Sequence, residues 1–191
     1  AIEKLQQKET EFTCCHSYFA LLCVKAKAYR HALPIITKKI LSGYTDESEA
    51  SIMIMNYNYY RGLIFTALED YENAKHCLQL VLDTPSQNLH ILQVMAFKKL
   101  ILLIWLTSTH NPNDNEHKAV KLEIRSVLNS KGMIGRHLEY YCSSYIKADN
   151  IHNFFIMLNQ DEIIKDGNLG LVKQVIKKLR NEVLESLTQT N

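Results

Sequence analysis

Residues 57–78 read Y-N-Y-Y-R-G-L-I-F-T-A-L-E-D-Y-E-N-A-K-H-C-L. A glycine stands inside an apolar helical stretch, and an alanine follows it twelve positions later on a second one. Glycine in a helix interior costs about 1 kcal/mol relative to alanine. Close approach of a neighbouring helix, which a side chain at Gly62 would block, offsets that cost. Only Glu69 and Asp70 separate the two stretches, so the helices must run antiparallel. Gly62 and Ala74 are then the small residues at the crossing, with Phe65, Leu78 and Val81 filling the space around them. Pro85 stops the second helix.

Periodicity extends this reading in both directions. Over 48–69, Met53, Tyr57, Tyr60, Ile64 and Leu68 follow one helical face, and Ile52, Met55, Tyr59, Leu63 and Ala67 follow another. A helix apolar on two faces needs neighbours on two sides. The 71–83 helix has a single stripe of Tyr71, Ala74, Leu78, Val81 and Leu82. Ala20, Tyr29 and Ala32 precede Gly62, Tyr71 and Ala74 by the same 42 positions. Helix-pair repeats recur at about 34 residues in tetratricopeptide forms and about 40–47 in armadillo-like ones. A third pair is expected from 87–107 and 116–129, the latter through Ala119, Leu122 and Val127, joined by a polar loop at 108–117 that is the candidate mobile segment.

Helices at 134–147, 149–158 and 168–190 follow, with a short turn or helix at 160–165. The last carries Val172, Val175, Ile176, Leu179, Val183 and Leu187 on one stripe, with Lys173, Lys177, Arg180 and Glu185 facing the other way. No stretch alternates as a half-buried strand would. The expected fold is all-α, a right-handed α-solenoid of tetratricopeptide-like antiparallel helix pairs over 1–131, continued by further helices over 132–191.

Composition narrows the function. The 191 residues are 47% apolar, with a formal charge of +2 and only six glycines and three prolines. Neither a nucleic-acid nor an anionic-membrane partner is favoured by that charge. The longest apolar run, Leu100 to Leu106, is far shorter than the ~20 residues of a spanning helix. The chain starts at Ala1 within a helical pattern, as a fragment would, and lacks a signal peptide. Cytoplasm and nucleus are the expected locations. Cys14, Cys15, Cys23, Cys77 and Cys142 show no metal-ligand spacing and read as free thiols.

The search for chemistry returns little. No glycine-rich phosphate loop or H-E-x-x-H motif occurs. His110, Asp114, Glu116 and His117 could form a metal site but read better as solvated loop residues. Cys14, Cys15 and His16 are adjacent on a helix and point about 100° apart, which does not make a catalytic pair. Tyr57, Tyr59 and Tyr60, and Tyr140, Tyr141 and Tyr145, read as core rather than as a base-stacking platform, since basic residues do not interleave with them. The pairs Lys38-Lys39, Lys98-Lys99 and Lys177-Lys178 read as solvated helix faces. No catalytic residue and no cofactor is nominated; extended repeat surface points to protein binding.

Several stretches resemble a known family: Y-Y-R-G-L-I-F-T-A-L-E-D-Y-E-N-A (59–74), D-T-P-S (83–86), F-K-K-L-I-L-L (97–103), D-G-N-L-G-L-V-K-Q (166–174) and, more weakly, L-L-C-V-K-A-K-A-Y-R-H-A-L-P (21–34). In that order they resemble the subunit-three family of the COP-nine signalosome. The resemblance implies a non-catalytic PCI-type scaffold in a complex that removes the modifier Nedd8 from cullins, with the isopeptidase chemistry in another subunit. It implies sister subunits as partners, and a winged-helix module beyond the last helix. The 108–117 loop looks longer than the family pattern. By the same resemblance Gly170 and Leu171 would seat the final helix, while Lys173, Gln174 and Lys177 would face a partner. Proteasome-lid and translation-initiation scaffolds share this plan, and RNA-handling PCI proteins of the messenger-export type are a further alternative.

Overall fold

The computed structural model describes residues 12–38, 47–86, 88–108, 117–158 and 160–189. All regular structure among these residues is helical. Two compact units form, Ala1–Gln87 and Asn88–Asn191. The third predicted helix pair, grouped with the first two by a boundary at 131, lies in the second unit. Residues 109–116, which hold most of the predicted mobile loop together with His110, Asp114 and Glu116, lie outside the described residues, as do Ala1 and Lys39.

The first unit contains α1 (Cys14–Lys25), α2 (Tyr29–Ile36), α3 (Glu47–Ala67) and α4 (Tyr71–Asp83). The 42-residue offset is visible in the backbone itself. Lys27 and Glu69, 42 positions apart, both adopt the left-handed conformation, with φ of 54° and 61°. Around each runs the same helix-ending turn. Ala28 N–H donates to the Cys23 carbonyl at 2.9 Å, and Asp70 N–H to the Phe65 carbonyl at 2.9 Å. These six-to-one bonds close the orphan carbonyls of α1 and α3. Asp70 then caps α4 by accepting from Asn73 N–H at 3.3 Å. Thr84 is extended, as the residue before a proline must be, and α4 ends there.

Burial within α3 is broader than two stripes. Met55, Tyr57, Asn58, Tyr59, Gly62, Ile64 and Phe65 are buried, while Ile52 and Ala67, at the ends of the second stripe, are exposed. α1 is the third helix of this packing. Phe12 stacks on His16 at 5.5 Å and tilts against Tyr57 at 5.4 Å, so the segment leading into α1 lies on α3.

The second unit contains α5 (Ile91–Thr107), α6 (Lys118–Ser130), α7 (Gly132–Tyr141), α8 (Ser143–Lys147), α9 (Ile151–Leu158), α10 (Asp161–Lys165) and α11 (Leu169–Gln189). α5 is its axis. Every residue from Leu100 to Trp105 is buried there, and α6, α7, α8 and α11 all pack on it. His90 starts α5, accepting from Leu92 N–H while its own N–H donates to Gln93 Oε1 at 3.0 Å.

Four expectations need correction here. α6 buries Val120, Ile124 and Leu128; Ala119 and Leu122 are exposed. Val120, Ile124 and Leu128 keep a regular i, i+4 spacing and form the buried line, whereas Ala119, Leu122 and Val127 are spaced by three and five residues. The predicted 134–147 helix breaks at Cys142, where its thiol packs 3.8 Å from the Val94 carbonyl. Tyr140 and Tyr141 are 76% and 56% exposed, unlike Tyr145, which is fully buried. On α11 the stripe is buried from Val172 to Leu179, but Val183 and Leu187 are exposed.

Candidate functional site

The sequence-predicted helix crossing is compact. A Cβ placed on Gly62 would lie 2.9 Å from Leu78 Cδ2 and 3.6 Å from the Ala74 carbonyl oxygen. Ala20, Ala32, Ala74 and Leu78 are fully buried, and Phe65 nearly so. Pro85 stands exposed beyond the end of α4, away from the crossing. Next to Gly62 in the chain, Arg61 lies over the Tyr57 ring at 5.2 Å and donates to Asn58 Oδ1 at 3.1 Å. The Tyr57 hydroxyl and Arg61 Nε are buried with no hydrogen-bond partner among the described residues. Burial pushes the Tyr57 hydroxyl up to about 12.

The polar centre of the second unit lies where solvated lysines were expected. Lys98 and Lys99 are buried, at 7% and 5% exposure. Lys98 Nζ donates to Glu162 Oε1 at 2.7 Å and to Asp166 Oδ2 at 2.9 Å, and lies 5.3 Å from the centre of the Tyr145 ring. Tyr145 O–H donates to the same Asp166 oxygen at 2.7 Å. Asn168 Nδ2 donates to the Tyr145 oxygen at 2.8 Å, and Lys99 Nζ donates to Asn168 Oδ1 at 2.5 Å. Ser144 Oγ closes the outer edge on Glu162 Oε2 at 2.8 Å. The cluster therefore joins α5, α8, α10 and the turn into α11.

That turn repeats the geometry seen at Lys27 and Glu69. Gly167 has φ of +65°, and Asn168 N–H donates to the Ile163 carbonyl at 3.0 Å. Glycine takes the left-handed position without the strain a side chain meets there. The D-G-N of 166–168 is thus an acceptor for Lys98, a left-handed turn and an amide for Lys99. Farther along, Lys178 Nζ donates to the Trp105 carbonyl at 2.8 Å and to the Ser108 carbonyl, occupying the orphan carbonyls at the end of α5. Asn168 beside Lys99 and Lys178 beside Trp105 set α11 parallel to α5.

Two adjacent lysines titrate in opposite directions. Burial alone would lower Lys98, but its bonds to Glu162 and Asp166 hold it above the ordinary lysine value. Lys99 meets only an amide oxygen and a backbone carbonyl directly, and burial lowers it to about 8. Burial raises Tyr145, and raises Cys142 to about 12. The two orientations follow from which neighbours are charged, not from depth.

The predicted partner-facing residues Lys173, Gln174 and Lys177 are all exposed on α11. Arg180 flanks them, stacked 4.8 Å over Phe155 of α9. Leu171 is buried as expected, whereas Gly170 is exposed and a Cβ there would meet nothing within 4 Å, so it does not seat the helix. A second exposed face lies on α7, where Met133, Tyr140 and Tyr141 project and Tyr141 borders a cleft of about 450 Å³ with Leu89, Ile91, Val94 and His137.

Cys23, Cys77 and Cys142 are buried, and burial pushes each thiol up, away from the thiolate. His16 serves α1, its Nδ1 accepting from Thr13 N–H at 3.1 Å. Among the described residues no three His, Cys, Asp or Glu side chains converge as metal ligands.

The lysine cluster was missed because its partners lie 64 to 69 residues away in the chain. One local signal did exist: α5 is apolar on every side, so a lysine in its middle has no solvent face to occupy.

Comparison with known proteins yields one family, described as COP9 signalosome complex subunit 3, N-terminal helical repeats, matching residues 1–113. Three relatives, each called COP9 signalosome complex subunit 3, align along almost the whole chain. The one from Drosophila melanogaster is 24% identical over 214 residues, covering 100% of this chain and 45% of the relative. That from Dictyostelium discoideum is 29% identical over 193 residues, covering 95% and 43%. That from Arabidopsis thaliana is 26% identical over 197 residues, covering 99% and 42%. The chain spans less than half the length of these relatives.

Proposed function

Since the chain belongs to the family of COP9 signalosome subunit 3 N-terminal helical repeats, we propose that it is a non-catalytic scaffold of that complex. It acts by protein–protein contact within the assembly that removes Nedd8 from cullins. Its partners are other signalosome subunits, and its working places are the cytoplasm and the nucleus. Its helices continue, in the longer protein, into a winged-helix module.

The observation that carries this reading is the distribution of exposed large side chains. Met133, Tyr140 and Tyr141 on α7, and Val183, Leu184 and Leu187 on α11, are each at least half exposed. Large apolar side chains left exposed together on one helix suit a contact with another protein. Tyrosine suits such sites because it buries a large rigid area and keeps a polar end. Lys173 and Lys177 give the α11 surface a positive flank.

Affinity purification of the chain from a eukaryotic lysate, followed by mass spectrometry, should recover sister signalosome subunits. Tyr140→Asp with Tyr141→Asp should reduce that recovery without changing the helical content. Recovery of proteasome-lid or translation-initiation subunits in their place would reassign the surface to another PCI assembly. Single-stranded RNA binding that weakens steeply with salt would replace the reading with nucleic-acid handling.

A further inference from the structure

α11 carries two seams of side chains, and one of them is covered along most of its length. Val172, Ile176, Leu179 and Val183 follow at intervals of four, three and four residues, and the first three are buried. One residue farther round the helix, Lys173, Lys177, Arg180, Leu184 and Leu187 repeat that spacing. All five are exposed. Such spacing keeps a row of side chains on one face, the row against which a second helix packs.

The exposed seam changes from cationic to apolar along its length. Three cations in a row on one helix face repel one another. Nothing on α11 offsets that repulsion, because no Asp or Glu stands three or four residues from Lys173, Lys177 or Arg180. Glu182 meets Lys178 at 3.5 Å, on another side of the helix. α9, which packs on α11, contains no acidic residue. None of the three cations forms an ion pair among the described residues. Arg180 lies 4.8 Å over the Phe155 ring. Stacking of this kind restrains a guanidinium and leaves its N–H edges for a carboxylate.

We propose that this seam docks an acidic amphipathic helix of another protein. Its carboxylates face Lys173, Lys177 and Arg180, and its apolar residues face Leu184 and Leu187. The proposal rests on the protein-binding reading given above and names the chemistry of the partner at α11. A second copy of the chain, paired seam to seam, would bring lysines or leucines to the cations and no carboxylate. Nucleic acid fits less well, since Arg180 covers the Phe155 ring and withdraws it from base stacking. Phosphates would also leave Leu184 and Leu187 in water.

The test starts from the complex that the chain recovers from a eukaryotic lysate. A carbodiimide condenses a lysine amine with a carboxylate to an amide, the lost water converting the reagent to a urea. It adds no spacer, so it links only groups already in contact. Mass spectrometry should place Lys173 and Lys177 in amide links to Asp or Glu on a helix of a sister subunit. Lys173→Arg with Lys177→Arg should keep recovery and lose these links, because a guanidinium keeps the charge and does not couple. Lys173→Glu, Lys177→Glu and Arg180→Glu together should lower recovery of the linked subunit by about tenfold or more, with helical content unchanged. If charge reversal unfolds the chain, Lys173→Gln with Lys177→Gln is read by the same criteria. Full recovery by the triple variant, with no links at Lys173 or Lys177 in the native chain, would overturn the seam and leave the scaffold reading standing. Recovery of no sister subunit would overturn both. Loss of the linked protein on nuclease treatment would assign the seam to nucleic acid, and would overturn the proposal equally.

Discussion

In the first unit α3 meets α4 across Gly62, where Leu78 fills the space a side chain would take. In the second unit α11 meets α5 across two lysines that reach the turn at 166–168. At the first contact the shape of the residues already excludes other positions. A glycine opposite a leucine is a socket, and a shift of one turn would drive Phe65 or Asn58 into it. At the second contact Lys98 and Lys99 reach Asp166 and Asn168, and Lys178 reaches the Trp105 carbonyl, so charged hydrogen bonds accompany the apolar packing. One contact thus centres on volume and the other includes buried charge, and the two respond differently to mutation and to pH.

Asp166→Ala should separate them most sharply. It removes the acceptor shared by Lys98 and Tyr145 and leaves an ammonium poorly compensated, at a cost of about 3–5 kcal/mol. Hydrogen exchange should show that loss in the second unit and leave α3 and α4 protected as before. Equal loss of protection in both units would break the contrast.

A titration probes the same contact. Lys99 has a folded value of about 8, below its ordinary value near 10.4. Between these values the unfolded chain binds more protons than the folded one, so stability rises with pH through that window. The rise should amount to about 2–3 kcal/mol and should disappear in Lys99→Met. Denaturant midpoints of the second unit taken from pH 7.5 to 10 would measure it. A flat profile in the native protein would mean that Lys99 is compensated as fully as Lys98.

At the socket, Gly62→Leu should cost roughly 1–3 kcal/mol by overpacking. Gly62→Ala should come out nearer to zero, because the gain in helix propensity of about 1 kcal/mol offsets the tight contact with Leu78. Thermal unfolding of the first unit measures both; a Gly62→Leu variant as stable as the native chain would mean the socket is not restrictive. The smallest effect concerns Tyr57. Its hydroxyl is buried without a partner among the described residues, so Tyr57→Phe should raise stability by up to about 1 kcal/mol. Lower stability would reveal a bond to that hydroxyl.

The same difference explains what could be read from the sequence. Gly62, Ala74 and the 42-residue offset were legible because a helix crossing leaves its mark in local spacing. The turn at Lys27 repeated at Glu69 lies within that offset too. The identity of the lysines' partners was not legible, since Glu162, Asp166 and Asn168 come from a distant segment; only the apolar surroundings of Lys98 and Lys99 on α5 hinted at burial. α6 shows a different limit: Val120, Ile124 and Leu128 form the regular i, i+4 line that is buried, while Ala119, Leu122 and Val127 are apolar residues at uneven spacing. Tyr140 and Tyr141 resemble core in composition, and only their exposure among the described residues reveals an outward face.

Burial of the thiols gives each unit an internal timer. Cys77 lies in the first unit and Cys142 in the second, both with about 1% exposure or less, and each is held in the unreactive protonated form by its surroundings. An alkylating reagent should reach either sulfur only when its own unit opens. Modification of one before the other would record, with no engineered probe, which half of the chain gives way first.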